Sequence, residues 1–128
     1  MLESSDLLAF AATTQPPQAR AFYEGILGLP CLADEPFALV FNAHGRQLRI
    51  SKVATLTPAP YTILGWVVSD IAACITALVH QGVTFERYAG VAQDAVGICT
   101  FPNGDQVAWF KDPDGNLLSL TQFDQSPT

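Results

Sequence analysis

The sequence has few basic residues, and those few are scattered along the chain. Six Lys and Arg stand against twelve Asp and Glu in 128 residues, which gives a formal net charge of −6. Such a surface repels phosphate backbones and anionic lipid headgroups unless basic residues cluster. Because the basic residues are spread from Arg20 to Lys111, we expect neither nucleic acid nor a membrane surface as a partner.

Cysteines and long apolar runs are also scarce. Cys31, Cys74 and Cys99 are odd in number and form no CxxC pair, which argues against a disulfide framework and against a thiolate zinc site. The longest apolar run, residues 61–68, has the length of a strand and falls far short of the roughly 20 residues that span a bilayer. The residues after Met1 lack the basic region of a secretory signal. We therefore expect a cytoplasmic protein.

The main organising feature of the chain is an internal repeat. Residues 7–13 have the pattern of a strand, and an amphipathic helix with proline in its first turn follows and ends at Gly28. In the second half residues 62–68 have the pattern of a strand, Asp70 caps a helix, and Gly82 ends it. A proline-containing linker at 54–60 separates the halves.

Each half continues as a β-meander. Hairpins are predicted at 42–46, at 102–105 between strands 96–101 and 106–110, and at 112–116, with glycine at positive-φ positions. An extra loop, residues 86–95, interrupts the second half. When Gly45 is aligned with Gly115, the apolar and polar residues that follow match one for one: Leu48, Arg49, Ile50 and Ser51 with Leu118, Ser119, Leu120 and Thr121. The pattern predicts an α+β fold of two βαβββ modules, at about 6–53 and 61–123.

Short motifs at both ends of this frame resemble a known superfamily. They are Phe22, Tyr23 and residues 26–29 (ILGL) in the first helix and its exit, and residues 112–116 (DPDGN) in the last hairpin. In this the chain resembles the vicinal oxygen chelate superfamily, which includes glyoxalase I, bleomycin-resistance proteins and extradiol dioxygenases. The resemblance covers nearly the whole chain as one domain, 1–128. It implies that curled mixed sheets of the two modules surround a shared cavity and that the protein is a homodimer.

The resemblance also indicates where a metal would bind. In metal-dependent members the ligands lie on the first and last strands of each module. Counting from the motifs places those positions at Leu8, Arg49, Ile63 and Ser119, and none of these side chains is a suitable ligand for a divalent metal. We therefore expect no metal and no other cofactor. Metal-dependent glyoxalase or dioxygenase activity is disfavoured.

Binding of a small molecule in a pocket is the function that remains. Strand alternation places Phe10, Arg49, Ser119 and Thr121 on one largely apolar side of the predicted sheets, a composition typical of such pockets. A guanidinium there needs an anion, an internal carboxylate or an exit to water. The alternatives for Arg49 are a ligand carboxylate or phosphate, an internal pair with Asp94 or Glu86, and extension to solvent.

Three further residues complete the candidate site. The register of Trp109 is not determined by sequence, so its side chain has two possible faces. Tyr88 and Asp94 lie in the extra loop, where they are placed to cover the mouth of a pocket. The predicted ligand-binding residues are Phe10, Arg49, Ser119, Thr121, Trp109, Tyr88 and Asp94.

The predicted function is metal-free binding of a small organic ligand, anionic or aromatic, by sequestration or sensing. The alternative is an enzyme of the same superfamily, of lyase, isomerase or dioxygenase type. It would act through Arg49 with Asp94, Tyr88 or Ser119, or through a metal bound elsewhere. A third possibility is an assembly module whose cavity is filled by its own side chains. The sequence contains no glycine-rich phosphate loop that would indicate a nucleotide.

Overall fold

The chain divides into two compact units, Met1–Pro58 and Ala59–Thr128. A computed structural model describes residues 1–124, and each unit holds one open, four-stranded mixed sheet. The boundary between the units falls within the proline-containing segment that the sequence predicts as a linker.

The first unit contains four strands and one helical segment. Its elements are β1 (Ala9–Thr13), α1 (Pro16–Arg20), a π-helix (Ala21–Ile26) that continues α1, β2 (Cys31–Asp34), β3 (Ala38–Ala43) and β4 (Arg46–Lys52). The strand order is β1-β4-β3-β2, with β1 parallel to β4 and the other pairs antiparallel.

The second unit repeats this arrangement. Its elements are β5 (Leu64–Val67), α2 (Ile71–His80), β6 (Cys99–Thr100), β7 (Gln106–Lys111) and β8 (Leu117–Gln122), with strand order β5-β8-β7-β6. α2 begins where the sequence predicts, because Asp70 Oδ1 accepts a hydrogen bond of 3.0 Å from the Ala73 amide. Among the described residues, no helix is both long enough and apolar enough to cross a membrane.

One face of each sheet packs against the helix of its unit. In the first unit the ring of Tyr23, on the π-helix, lies 5.7 Å from that of Phe41 on β3. In the second unit the buried side of α2 packs toward β7 and β8, whose alternate residues Phe110 and Leu118 are fully buried. Residues between these positions point the other way. We call that side the helix-free face of each sheet.

The registers of the two sheets show the repeat in three dimensions. Phe10 lies opposite Arg49 in the parallel β1–β4 pair, and Gly65 lies opposite Ser119 in the parallel β5–β8 pair. Arg49 and Ser119 therefore occupy equivalent positions, as the sequence alignment of the two halves predicts. Both side chains belong to the helix-free face of their sheet.

Several predicted elements differ from those observed. The helical segment of the first unit is π-helical after Arg20, and the Leu27 amide bonds to the Phe22 carbonyl at 2.9 Å, five residues back. The predicted strands 7–13 and 62–68 start two residues later, at Ala9 and Leu64. The predicted strand 96–101 shrinks to Cys99–Thr100, since Gly97 has φ of 99° and turns the chain just before it.

Candidate functional site

An aromatic pair marks the helix-free face of the second sheet. Trp109 of β7 lies opposite Ser119 of β8, which places its indole on this face. The ring of Tyr88, from the extra loop, meets the indole edge to face with ring centroids 5.6 Å apart. Both rings remain partly exposed. Planar aromatic side chains of this kind offer apolar contact area at low cost in conformational entropy.

The loop holds Tyr88 in this place through its backbone. The Glu86 amide donates to the Trp109 carbonyl at 2.8 Å, and the Tyr88 amide donates to Gln93 Oε1 at 2.9 Å. Burial, and secondarily the negative charge of Glu86, raises the pKa of the Tyr88 hydroxyl. The phenol therefore stays protonated at neutral pH and is available as a hydrogen-bond donor.

Two hydroxyl side chains lie on the same face beside the aromatic pair. Ser119 is 7% exposed, and Thr121 follows two residues later on β8. Gly65 of β5 lies next to Ser119, and a Cβ atom at Gly65 would lie 2.7 Å from Ser119 Oγ. The missing side chain at Gly65 therefore leaves room for the serine hydroxyl. Of the seven predicted ligand-binding residues, four come together here: Tyr88, Trp109, Ser119 and Thr121.

Two further predicted residues lie together on the first sheet. Phe10 is 56% exposed and neighbours Arg49 across the β1–β4 pair. Arg49 Nη2 lies 3.2 Å from Glu35 Oε2, and both side chains are partly exposed. The internal alternative for Arg49 thus has a partner, but it is Glu35 and not one of the two acids that the sequence suggested. The anion-binding role of Arg49 stays a prediction.

Those two acids of the extra loop are engaged elsewhere. Asp94 Oδ1 accepts hydrogen bonds from the amides of Val96 and Ile98 at 3.0 and 2.9 Å. Glu86 Oε1 lies 3.5 Å from Lys111 Nζ. The Asp94 carboxylate therefore shapes its own loop, and we leave it out of the site proposed below.

The positions that resemblance assigns to a metal carry side chains that are poor metal ligands. Leu8 and Ile63 carry no donor atom, Arg49 is a permanent cation, and Ser119 offers one neutral hydroxyl. Within residues 1–124, no three His, Cys, Asp or Glu side chains are grouped so as to hold a metal ion. The residues present do not fit the metal of the metal-dependent relatives.

Sequence reasoning missed two contributors to these surfaces. Glu35 follows the end of β2, two strands away from Arg49, and only the order β4-β3-β2 brings the two together. Gln93 braces the loop through three hydrogen bonds, to the Glu86 and Gly97 carbonyls and from the Tyr88 amide. An acid at the end of a meander strand was an available signal for Glu35. No local signal identifies Gln93.

Residues 8–120 match the sequence profile of the Glyoxalase/Bleomycin resistance protein/Dioxygenase superfamily. Since this match spans most of the chain, the protein belongs to that superfamily. The resemblance seen in the ILGL and DPDGN motifs is thereby confirmed. Among curated proteins none matches the sequence significantly.

Solved structures of the superfamily share the fold. TnmS3, an antibiotic-binding protein from a Streptomyces species, is 24% identical with a TM-score of 0.72, and the match covers 97% of this chain and 99% of TnmS3. A superfamily member from Sphaerobacter thermophilus is 22% identical with a TM-score of 0.72, covering 95% and 99% of the two chains. The lactoylglutathione lyase of Agrobacterium tumefaciens is 16% identical with a TM-score of 0.72, covering 93% of each chain. At these identities the likeness shows the α+β fold of two modules.

Proposed function

We propose that this protein binds a small planar organic ligand on the helix-free face of its second sheet, without a metal, and acts by sequestration or sensing. The observation that carries the proposal is the edge-to-face pair of Tyr88 and Trp109, with ring centroids 5.6 Å apart. Ser119 and Thr121 lie on the same face and supply hydroxyl groups. A flat apolar contact with a few polar groups beside it is the usual composition of a ligand site.

The chemistry of the pair supports binding rather than catalysis. The Tyr88 hydroxyl is protonated near neutral pH, as a phenol is, and burial moves its pKa further upward, so it is available as a hydrogen-bond donor to a ligand. Within the described part of the chain, no three His, Cys, Asp or Glu side chains are grouped so as to hold a metal ion. TnmS3, with the same fold, is an antibiotic-binding protein, so a purely binding role has a precedent among the structural neighbours.

The second part of the proposal concerns the first sheet, where a separate surface has the chemistry to bind an anion. Arg49 and Phe10 present a cation beside an exposed aromatic ring on the first sheet. The pair between Arg49 and Glu35 is partly exposed, so water and a ligand carboxylate are able to compete with Glu35 for the guanidinium. A carboxylate is therefore the ligand class that we expect at this surface of the first sheet.

The proposal is tested with a panel of planar aromatic compounds, each supplied as the carboxylate and as the neutral amide. We expect saturable binding by calorimetry and no chemical change of the bound compound. Trp109→Leu should weaken binding about tenfold, the upper range for one aromatic contact. Tyr61→Leu, at an exposed aromatic residue of the same unit, is the matched control and should leave affinity unchanged. Product formation, or equal effects of the two variants, contradicts the proposal.

Two further aspects of the prediction stay proposals. We propose that the protein works in the cytoplasm, which agrees with the absence of disulfides among Cys31, Cys74 and Cys99. We also propose a homodimer, which the exposed apolar side chains Leu7, Phe10, Phe37 and Val67 favour. Light scattering that gives the mass of a single chain would contradict the dimer, and export from the producing cell would contradict the cytoplasmic location.

A further inference from the structure

A groove on the other side of the second sheet is separate from the site proposed above. It lies between the last turns of α2 and the extra loop, and its volume is about 670 Å³. The ring of Phe85, which lines it, packs 5.3 Å from Phe110 on the helix-packed face, whereas Trp109 points to the opposite face. The groove and the aromatic pair both belong to the second unit, and they lie on opposite faces of its sheet.

The groove carries an unusual cation. Five of the six Lys and Arg side chains lie within 4 Å of a carboxylate: Arg20, Arg46, Arg49, Lys52 and Lys111. Arg87, which lines the groove, is the one that has no carboxylate partner among residues 1–124. Arg87 is exposed to solvent. Its charge is available to an external anion.

The guanidinium of Arg87 is nevertheless held in place. Arg87 Nη2 donates a hydrogen bond of 2.6 Å to the Ala95 carbonyl, across the extra loop. The loop itself is braced by Gln93, whose Nε2 donates to the carbonyls of Glu86 and Gly97 at 3.0 and 2.9 Å. The carbonyl that Arg87 contacts therefore belongs to a braced loop, while the guanidinium itself remains exposed and accessible to an anion.

The groove is lined mainly by apolar side chains, with Thr76, His80 and Thr84 as its polar members besides Arg87. Val79 and Val96 are about half exposed, at 52% and 48%, while Ile75 and Val83 form a buried floor. The nearby acids are occupied, Asp94 by the Val96 and Ile98 amides and Glu86 by Lys111. An apolar chain covering the two valines gains burial free energy, and a carboxylate at its end gains a charge-assisted hydrogen bond from Arg87.

We propose that this groove is a second binding site, which takes a small amphipathic carboxylate such as a medium-chain fatty acid. The apolar chain lies along α2 against Val79 and Val96, and the carboxylate meets the Arg87 guanidinium. The site does not depend on the ligand proposed for the aromatic pair, because it uses the opposite face of the sheet.

The test is a titration of ¹⁵N-labelled protein with decanoate and, separately, with decanol, which has the same chain without the charge. We expect saturating amide shifts in residues 75–80, 83–87 and 95–97 with decanoate. Arg87→Gln should weaken decanoate about tenfold, as expected for loss of a hydrogen bond to a charged group, and leave decanol unchanged. Arg46→Gln, an exposed arginine of the first unit, is the control and should change neither.

Three results would overturn the proposal. Decanoate shifts confined to the helix-free face of β7 and β8 would place the ligand elsewhere. Absence of saturable decanoate binding would remove the site, and equal loss of decanoate and decanol in Arg87→Gln would remove the role of the charge. If Arg87→Gln does not fold, the affinities of the unsubstituted protein for decanoate and decanol still test the proposal. Equal affinity for the two compounds would contradict it.

Discussion

At the scale of single residues, the two equivalent positions Arg49 and Ser119 show how the modules have diverged. Both lie on the last strand of their sheet and face away from the helix. One is a cation paired with Glu35, and the other is a buried hydroxyl beside Gly65. The internal repeat is therefore a repeat of backbone and core, while the residues that would meet a ligand differ in chemistry.

Removal of the Arg49 guanidinium should affect anionic ligands selectively. Arg49→Ala is expected to weaken about tenfold an aromatic carboxylate that binds beside Phe10 on the first sheet. The matching neutral amide should keep its affinity there, since only the carboxylate uses the charge. Lys52→Ala removes a cation from the same strand, on the side that faces the other way, and serves as the control. Calorimetry measures the affinity of each of the two variants for the carboxylate and for the amide. Equal weakening of carboxylate and amide by Arg49→Ala would contradict the anion-binding role.

The Tyr88 hydroxyl should make stability sensitive to alkaline pH. Burial and the neighbouring Glu86 raise its pKa above the ordinary value of 10.0. A raised pKa means that the folded state favours the neutral phenol, so this contribution to stability is complete below the unfolded pKa and disappears as the pH rises through the folded one. We expect Tyr88→Phe to reduce the loss of unfolding free energy above about pH 10. Urea unfolding of the unsubstituted protein and of Tyr88→Phe at several pH values checks this. If the unfolding free energies of the two proteins fall in parallel with pH, the prediction is wrong.

At the scale of elements, apolar periodicity and caps predicted most of the fold. The β5–α2 transition follows from Asp70, whose carboxylate caps the helix, and the turn between β3 and β4 follows from Gly45, with φ of 87°. The π-helix after Arg20 was not predicted, because one extra residue in a helical turn leaves little trace in an apolar stripe. The strand predicted at 96–101 was too long, because the hydrogen bonds that Asp94 accepts from the Val96 and Ile98 amides depend on the folded loop.

The candidate site was predictable only where a strand carries it. Alternation along β4 and β8 places Arg49, Ser119 and Thr121 on the helix-free faces, in agreement with the register. The contact of Tyr88 with Trp109 depends on the path of the extra loop. The Glu35 pair depends on strand order in the sheet. Both contacts are tertiary contacts, which a local sequence pattern does not predict.

The β5–β8 pair should show strong coupling between Gly65 and Ser119. A Cβ atom at Gly65 would lie 2.7 Å from Ser119 Oγ, which is closer than the atoms can approach. We expect Gly65→Ala to be about 1 kcal/mol more favourable in a Ser119→Ala background than in the native one, since the clashing oxygen is then gone. A double-mutant cycle of urea unfolding measures this. If the changes in unfolding free energy of the two substitutions are additive, the prediction is wrong, and the Ser119 side chain moves away from the new Cβ atom without loss of stability.

At the scale of the whole molecule, a shared backbone frame carries two different surfaces. Both units have a four-stranded sheet with a parallel outer pair. The first unit presents a cation and an exposed phenylalanine, whereas the second presents an aromatic pair with hydroxyl groups. The two copies of the module thus present different chemistry on the same backbone frame.

The most direct test of the proposed function uses the two tryptophans of the second unit. Trp66 lies opposite Leu120 and Trp109 opposite Ser119, so the two indoles belong to opposite faces of one sheet. In a titration of ¹⁵N-labelled protein with the planar aromatic compound that binds most tightly, we predict that the indole Nε1–H signal of Trp109 shifts and saturates while that of Trp66 stays in place. A saturating shift of Trp66 with an unmoved Trp109 would contradict the proposed function.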